Sequence, residues 1–269
     1  MTIGPSMHAN AVDSYRSDGF FILAGFSSPD VGRNMLEDVI DIVRDPHEVV
    51  SKSPGMLIVS EAQKDLTGVN PEDTISKVFT LHTRPAFTSF LNDNRITALL
   101  VDLIGPDVDC FLSQFIFKNP GAWGQPWHQD SFYFPFDPPR TIVGLWLAVT
   151  EATLQNGCLH ILAGSHTEPI HTHIPDRRPE ANHGYMEIVD HDMSGQQPVL
   201  MNAGDLLVFD SHLMHCSIDN LSSGIRAAMV FHCCAADTID LGFEQYNNFK
   251  SPTHQFMPLL RDGRLVLAP

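Results

Sequence analysis

From residue 108 onward the chain is a succession of short apolar or alternating runs, and this constrains its fold more than any other feature. "VDCFLSQFIFK", "TIVGLWLAVTEA", "GCLHILAG", "QPVLMNAGDLLVFD" and "IRAAMVFHCC" are separated by Gly, Pro, Asn and Asp turn signals. Runs of this length and period read as strands. Upstream, "AVDSYRSDGFFILAGF" predicts a short helix, a break at Gly19 and a strand. In "SSPDVGRNMLEDVIDIVRD", Ser28 before Pro29 with Asp30 in the first turn signals a helix start. Val31, Met35, Val39 and Ile42 give that helix one apolar stripe. "SKVFTLH" reads as a short strand, and "PAFTSFL" and "NRITALLVDLIG" as helices covering the core. Several strands after early helices predict a mainly β protein with flanking helices, a double-stranded β-helix or cupin-like jelly roll.

The β core is expected at about 108–237, with no repeat, low-complexity tract or linker to split residues 1–269, so one domain is expected. Two stretches, 51–76 and 165–197, carry little regular pattern. Irregular segments of that length inside a compact domain are usually functional, and both are candidate lids.

Composition removes several function classes. The net charge of −16 argues against nucleic acid or anionic membranes as partners. No run approaches a membrane span, and the first residues lack a signal-peptide profile. The five cysteines, Cys110, Cys158, Cys216, Cys233 and Cys234, form no metal-type C-x-x-C pair. They are expected as buried free thiols in a reducing cytoplasm. Fourteen histidines against sixteen Lys plus Arg is a high ratio, so abundance of histidine is not itself a metal signal.

The chemistry is concentrated around "PWHQDSFYF", residues 126–134. In an extended segment His128 and Asp130 point to one side and Gln129 to the other. An imidazole and a carboxylate aimed at one point suit a divalent iron. Alone, the pair reads more readily as a surface His–Asp hydrogen bond. A third ligand is available in "GDLLVFDSHLMHCSIDN", where His212 falls at a turn and His215 opens the next strand, alternating with Ser217. His215 is the preferred choice, giving two histidines and a carboxylate with open positions on the metal. "HTH", His171 and His173, is a rival pair, but it lies in the irregular segment without an apolar run to hold it rigid. Arg226 starts an otherwise apolar strand. Its planar fork matches a carboxylate, and an internal acidic partner or a solvent-facing position are the alternatives.

"WHQD", "NGCLHILAGSH", "GDLLVFDSHLMHCSIDN" and "IRAAMVFH", in this order and spacing, resemble the phytanoyl-CoA dioxygenase family of iron(II)- and 2-oxoglutarate-dependent oxygenases. The resemblance covers roughly residues 10–237, including the "SDGFFILAGF" opening, and leaves only the C-terminal tail unexplained. It implies a jelly roll with iron held by His128, Asp130 and His215. It implies that Arg226, eleven residues after His215, grips the distal carboxylate of 2-oxoglutarate and that Ser217 supports it. Trp146 would line the cosubstrate pocket, and Lys77 and Gln114 match two further pocket positions. His166 is expected to brace the fold rather than bind iron. The family's halogenases replace the carboxylate ligand with a small residue; this chain keeps Asp130, which favours hydroxylation. The activity so implied consumes oxygen and 2-oxoglutarate, releases succinate and carbon dioxide, and hydroxylates an aliphatic C–H.

The substrate is expected to be a small metabolite, an acid or phosphonate among the options. Phe132, Tyr133, Phe134, Phe136 and Trp123 form either its apolar wall or loop packing. Arg140, Arg177 and Arg178 would receive an anionic group or stay solvated. The acidic balance and the lack of a basic cluster disfavour a long acyl-CoA. Two other readings are a metal-binding cupin-like protein without oxygenase activity and an inactive family member serving as a binding module. The first would not need Arg226, Ser217 and Trp146 together, and the intact ligand set counts against the second. Oligomeric state is left open.

Overall fold

A computed structural model of the chain describes residues 5–61, 70–139, 141–178, 184–244 and 247–266. The first part holds α1 (Pro5–Asp18), β1 (Phe20–Leu23), α2 (Pro29–Arg44), α3 (Pro46–Lys52), β2 (Ile58–Ser60), β3 (Ile75–Phe79), α4 (Pro85–Leu91) and α5 (Asn94–Leu103). Next come β4 (Val108–Lys118), β5 (Phe136–Asp137), β6 (Val143–Ala148), β7 (Leu159–Ile161), β8 (His173–Pro175) and β9 (Met186–Ile188). Then follow β10 (Gln197–Val199), β11 (Leu206–Asp210), β12 (His215–Ser217) and β13 (Arg226–Ala235). The tail adds β14 (Ile239–Asp240), β15 (Met257–Arg261) and β16 (Arg264–Leu265).

The large sheet runs β1-β11-β6-β13-β4-β15-β16, with β3 also on β4 and β2 on β3, all antiparallel. A smaller sheet runs β10-β7-β12. The period-two rule sorts the side chains of the central strands. Leu145, Leu147, Ala227, Met229 and Phe231 pack in one cluster with Met35, Val39 and Ile42 of α2. Their neighbours Trp146, Ala148, Ala228 and Val230 join Leu159, Ile161 and Val199 of the smaller sheet in a second cluster. The large sheet therefore has helices on one face and the small sheet on the other, the two-sheet sandwich of a jelly roll. Both faces being buried explains why β6 and β13 read as nearly continuous apolar runs.

α2 forms where the sequence signals it, whereas α3 carried no signal in the sequence reading. The Ser28 hydroxyl accepts from Asp30 N at 3.2 Å and starts α2. Met35, Val39 and Ile42 are buried, and Val31 is half-buried at the edge of the stripe.

Three departures from the sequence reading matter for the site. Asp130 does not continue a strand; it opens a 3-10 helix, Asp130–Tyr133. The stretches read as irregular carry short regular pieces: β2 extends the large sheet, and β8 pairs with β9 as a ribbon. Residues 62–69 and 179–183 of those stretches, and Arg140, lie outside the described residues. The tail, left unexplained by the sequence, adds β15 to the edge of β4 and brings Thr253 and His254 to the main cavity. All five cysteines are free and buried, as their spacing predicts.

Candidate metal and cosubstrate site

Residue 128 and strand β12 meet through a reciprocal pair of backbone bonds. His128 N donates to His215 O at 2.9 Å, and His215 N donates to His128 O at 3.0 Å. The two imidazoles lie side by side, with ring centroids 4.2 Å apart. Gln129 is extended (φ −113°, ψ 128°), so Asp130 returns to the side of His128 before the 3-10 turn begins. The alternation expected of a strand thus holds for one residue step, which is all the geometry requires. Asp130 Oδ1 lies 3.4 Å from His128 Nε2 and 3.8 Å from His215 Nε2.

The hydrogen bonds around the two rings select their tautomers. His128 Nδ1 is 2.7 Å from Pro126 O, and His215 Nδ1 is 2.9 Å from Leu213 O. A carbonyl only accepts, so each Nδ1 carries the hydrogen and each Nε2 presents a lone pair toward Asp130 Oδ1. Burial, and then the neighbouring His128, lower the His215 pKa to about 4, which keeps that lone pair available at neutral pH. Burial raises the Asp130 pKa, but the neighbouring imidazoles of His215, His128 and His232 outweigh it. The carboxyl stays well below the usual range. Two neutral imidazoles and a carboxylate converging within 4.8 Å are a donor set that fits a divalent iron. His212, the alternative third ligand, faces elsewhere: its Nδ1 bonds Ser131 Oγ at 2.9 Å.

Arg226 is 1% exposed, yet it meets neither of the partners that would make it ordinary. Its Nε and Nη2 both donate to Gly157 O, at 3.2 and 3.0 Å, and Nη1 has no partner. The indole Nε1 of Trp146 is likewise buried without a partner, and the guanidinium stands 5.5 Å over that ring. Lys118, at the end of β4, donates from Nζ to Trp123 O, Ser217 Oγ and Ile218 O. Burial, then the charge of Arg226, hold the Lys118 pKa well below its ordinary value. Burial lowers the Arg226 pKa to about 10. Among the described residues no carboxylate touches either cation. A buried unpaired charge is expensive, so a pocket holding the half-partnered Arg226 guanidinium fits a carboxylate ligand. Ser217 Oγ accepts from both Lys118 Nζ and Gln125 N, which leaves its own hydrogen to donate into the pocket.

One cavity of about 330 Å³ contains both halves. His128, Asp130, His215, Arg226, Ser217, Trp146, Lys77 and Gln114 all line it. Lys77 Nζ donates to Gln125 Oε1 at 3.2 Å, and the Gln125 amide reaches His128 Nε2 at 2.9 Å. Two polar lining residues without a role in the sequence reading, His232 and Lys118, stand out. His232 Nε2 lies 2.9 Å from Asp130 Oδ2 and fixes the carboxylate oxygen not directed at the histidine pair. Its signal was available: Arg226 and His232 are an even number of residues apart on one strand. Lys118 carried no such signal, because a lysine at a strand end is normally solvated. His166 contacts Arg16 O at 3.3 Å and lines no part of this cavity. Arg177 pairs with Glu187, and Arg178 pairs with Asp176 and stacks on Trp123. Each is paired with a carboxylate, and neither lines the main cavity.

Comparison with known proteins identifies the family of the chain. Residues 15–228 match the family profile described as Phytanoyl-CoA dioxygenase (PhyH). The peroxisomal phytanoyl-CoA dioxygenase of Rattus norvegicus is 28% identical over 230 residues, 83% of this chain and 67% of that protein. Phytanoyl-CoA dioxygenase 1 of Oryza sativa subsp. japonica is 33% identical over 159 residues, 55% of this chain and 52% of its own length. The chain thus spans about two thirds of the first relative and half of the second. Among solved structures, the epimerase SnoN in complex with Fe3+, alpha ketoglutarate and nogalamycin RO superposes with a TM-score of 0.68. The match covers 97% of this chain and 98% of that one at 18% identity, a likeness of fold. Since the family profile spans most of its length, the chain belongs to the phytanoyl-CoA dioxygenase (PhyH) family of iron(II)- and 2-oxoglutarate-dependent oxygenases.

Proposed function

We propose that the protein hydroxylates an aliphatic C–H of a small-molecule metabolite, with His128, Asp130 and His215 holding iron and Arg226 holding 2-oxoglutarate. The observation that carries this reading is the buried Arg226 fork. Half of it is spent on Gly157 O and half is unpartnered, in the same cavity as the histidine–carboxylate cluster. A cupin-like metal protein without oxygenase activity has no use for such a group.

When bound, iron and 2-oxoglutarate supply the oxidant: oxygen converts the cosubstrate to succinate and carbon dioxide, and its other atom enters the substrate C–H as a hydroxyl. The chain's own part is binding and exclusion. His232 donates to Asp130 Oδ2 and so keeps Oδ1 on the side of the two imidazoles. Arg226 and Ser217 present donors to the cosubstrate's far carboxylate, Lys118 holds the Ser217 hydroxyl in place, and Trp146 walls that end. Phe79, Leu112, Phe134 and Phe243 line the cavity with apolar surface, and a dry wall protects a reactive centre from water. Ser251, Thr253 and His254 add polar groups from the tail. A volume at the small end of the usual range for ligand pockets, shared with the cosubstrate, supports a small substrate.

The test supplies the protein with iron(II), 2-oxoglutarate and oxygen across a panel of small acids, phosphonates, amines and acyl-CoA thioesters, measuring succinate and product mass. The expected result is one succinate per substrate gaining one oxygen atom, with small metabolites preferred. Succinate formation coupled to loss of two hydrogens, or a preference for the thioesters, would contradict the proposal.

A further inference from the structure

A second group of metal-type side chains stands apart from the cavity. Glu168, His171 and His191 bring one carboxylate oxygen and two imidazole nitrogens within 4.8 Å of one another. Glu168 Oε2 is 2.9 Å from His171 Nε2 and 3.2 Å from His191 Nε2. None of the three lines the main cavity. His171 is half of the "HTH" pair weighed as a rival iron site. Its partner is not His173, whose Nδ1 turns to His171 O and whose Nε2 receives Gln129 N.

The hydrogen bonds leaving this group point to a cation. His191 Nδ1 is 3.0 Å from Asp192 O, a carbonyl outside the cluster that only accepts. Nδ1 therefore carries the ring hydrogen, and in the neutral ring Nε2 is a lone pair. That lone pair faces a carboxylate oxygen, acceptor against acceptor, while a second imidazole nitrogen approaches the same oxygen. A proton on His191 relieves that contact, and so does a metal ion, which can also take the His171 nitrogen as a ligand. Zinc bonds His nitrogen and carboxylate oxygen at about 2.0–2.2 Å, which places tetrahedral ligands about 3.3 Å apart. The two distances to Glu168 are within a small rotamer adjustment of that spacing. Two imidazoles and one carboxylate leave a fourth position for water, and side-chain exposures of 20% for each histidine and 37% for Glu168 give water access to it.

We propose that Glu168, His171 and His191 form a second divalent-metal site, of the zinc-binding class, that clips together the two ends of the β8–β9 ribbon. Residues 168–171 precede that ribbon and His191 follows it. The ribbon itself reaches the main cavity: Tyr185 lines it, and Met186 N donates to Tyr133 Oη at 2.9 Å. The clip is tied to the iron side as well. Gln129, between the two proposed iron ligands, accepts from His171 N at 2.9 Å and donates to Pro169 O at 3.2 Å. A metal at the second site would hold the ribbon's base in register with residues 128–130.

The test counts metal on the full chain after equilibrium dialysis against cobalt(II), repeated with zinc(II). Wild type is expected to retain two equivalents, and His191→Ala and Glu168→Gln one each. Asp130→Ala should also retain one, because it loses only the other site. His191→Ala combined with Asp130→Ala should retain none. Circular dichroism of each variant confirms that it is folded, and Glu168→Gln, which keeps the side-chain shape, decides the matter where His191→Ala does not fold. A wild type that retains only one equivalent overturns the proposal. So do two equivalents in either His191→Ala or Glu168→Gln, which would place the extra ion elsewhere.

Discussion

Arg226 is the residue on which the functional reading turns, because its environment removes each ordinary explanation for a buried guanidinium. No acidic side chain among the described residues pairs with it, and solvent does not reach it. Replacing Arg226 by Ala removes the charge that a bound carboxylate would neutralise. The expected loss of 2-oxoglutarate affinity is about 2–5 kcal/mol, while metal retention stays at the wild-type level. Titration of 2-oxoglutarate into the metal-loaded variant checks this, and an unchanged affinity would return Arg226 to a structural role. His232 acts one step further back. It touches Asp130 only at Oδ2, so His232→Phe should leave the donor set present but poorly aimed. Changes of this kind cost roughly 10–100-fold in metal affinity. A competition titration against a chelator reads that directly, and an affinity equal to wild type would show that Asp130 is oriented by other contacts.

At the scale of elements, the site depends on how strands are handed from one sheet to the other. Gly157, in the turn before β7, has φ +88° and supplies the carbonyl that holds Arg226. A Cβ there would meet Lys118 Cδ at 2.4 Å and Ile218 O at 2.6 Å. Gly157→Ala therefore combines a strained backbone with a clash against backbone oxygen, and should destabilise the fold by about 1–3 kcal/mol. It should also weaken 2-oxoglutarate binding, since the turn cannot shift without moving the arginine's anchor. Chemical denaturation and a binding titration measure the two effects; a variant as stable as wild type would contradict the argument. The stretches 51–76 and 165–197 are the proposed substrate-side cover. Glu61, Ser76 and Tyr185 from these stretches line the cavity, and an oxygenase must admit substrate and then exclude water. Hydrogen exchange in β8 and β9 should be faster than in β6 and β13 and slow on substrate binding. Protection equal to the central strands, with or without ligand, would identify these stretches as fixed loops.

For the whole molecule, much of the architecture was readable because its signals are local and periodic. The helix start at Ser28, the break at Gly19 and the apolar runs of β6 and β13 each depend on a few neighbouring residues. The pair His128 and Asp130 was readable for the same reason, although only one extended residue separates them rather than a strand. His215 stood out from His212 because it alternates with Ser217 on a strand, whereas His212 occupies the preceding turn. What could not be read depends on burial and on partners distant in sequence. Lys118 looks like any strand-end lysine until Ser217 and Ile218, about a hundred residues on, close over it. The tail carries no motif; its role comes from pairing β15 with β4 across about 150 residues. The grouping of Glu168 with His191 likewise needs the ribbon between them to fold back.

The central claim is that His128, Asp130 and His215, with Arg226 beside them, make this chain an iron- and 2-oxoglutarate-dependent oxygenase. Its most direct test is succinate formation by wild type and by single alanine variants, assayed with iron(II), 2-oxoglutarate and oxygen. Wild type should form succinate only when all three are present. His128→Ala, Asp130→Ala and His215→Ala should form none above background, and His212→Ala should keep most of the wild-type rate. An active His215→Ala beside an inactive His212→Ala, or succinate formation indifferent to all four substitutions, would contradict the account.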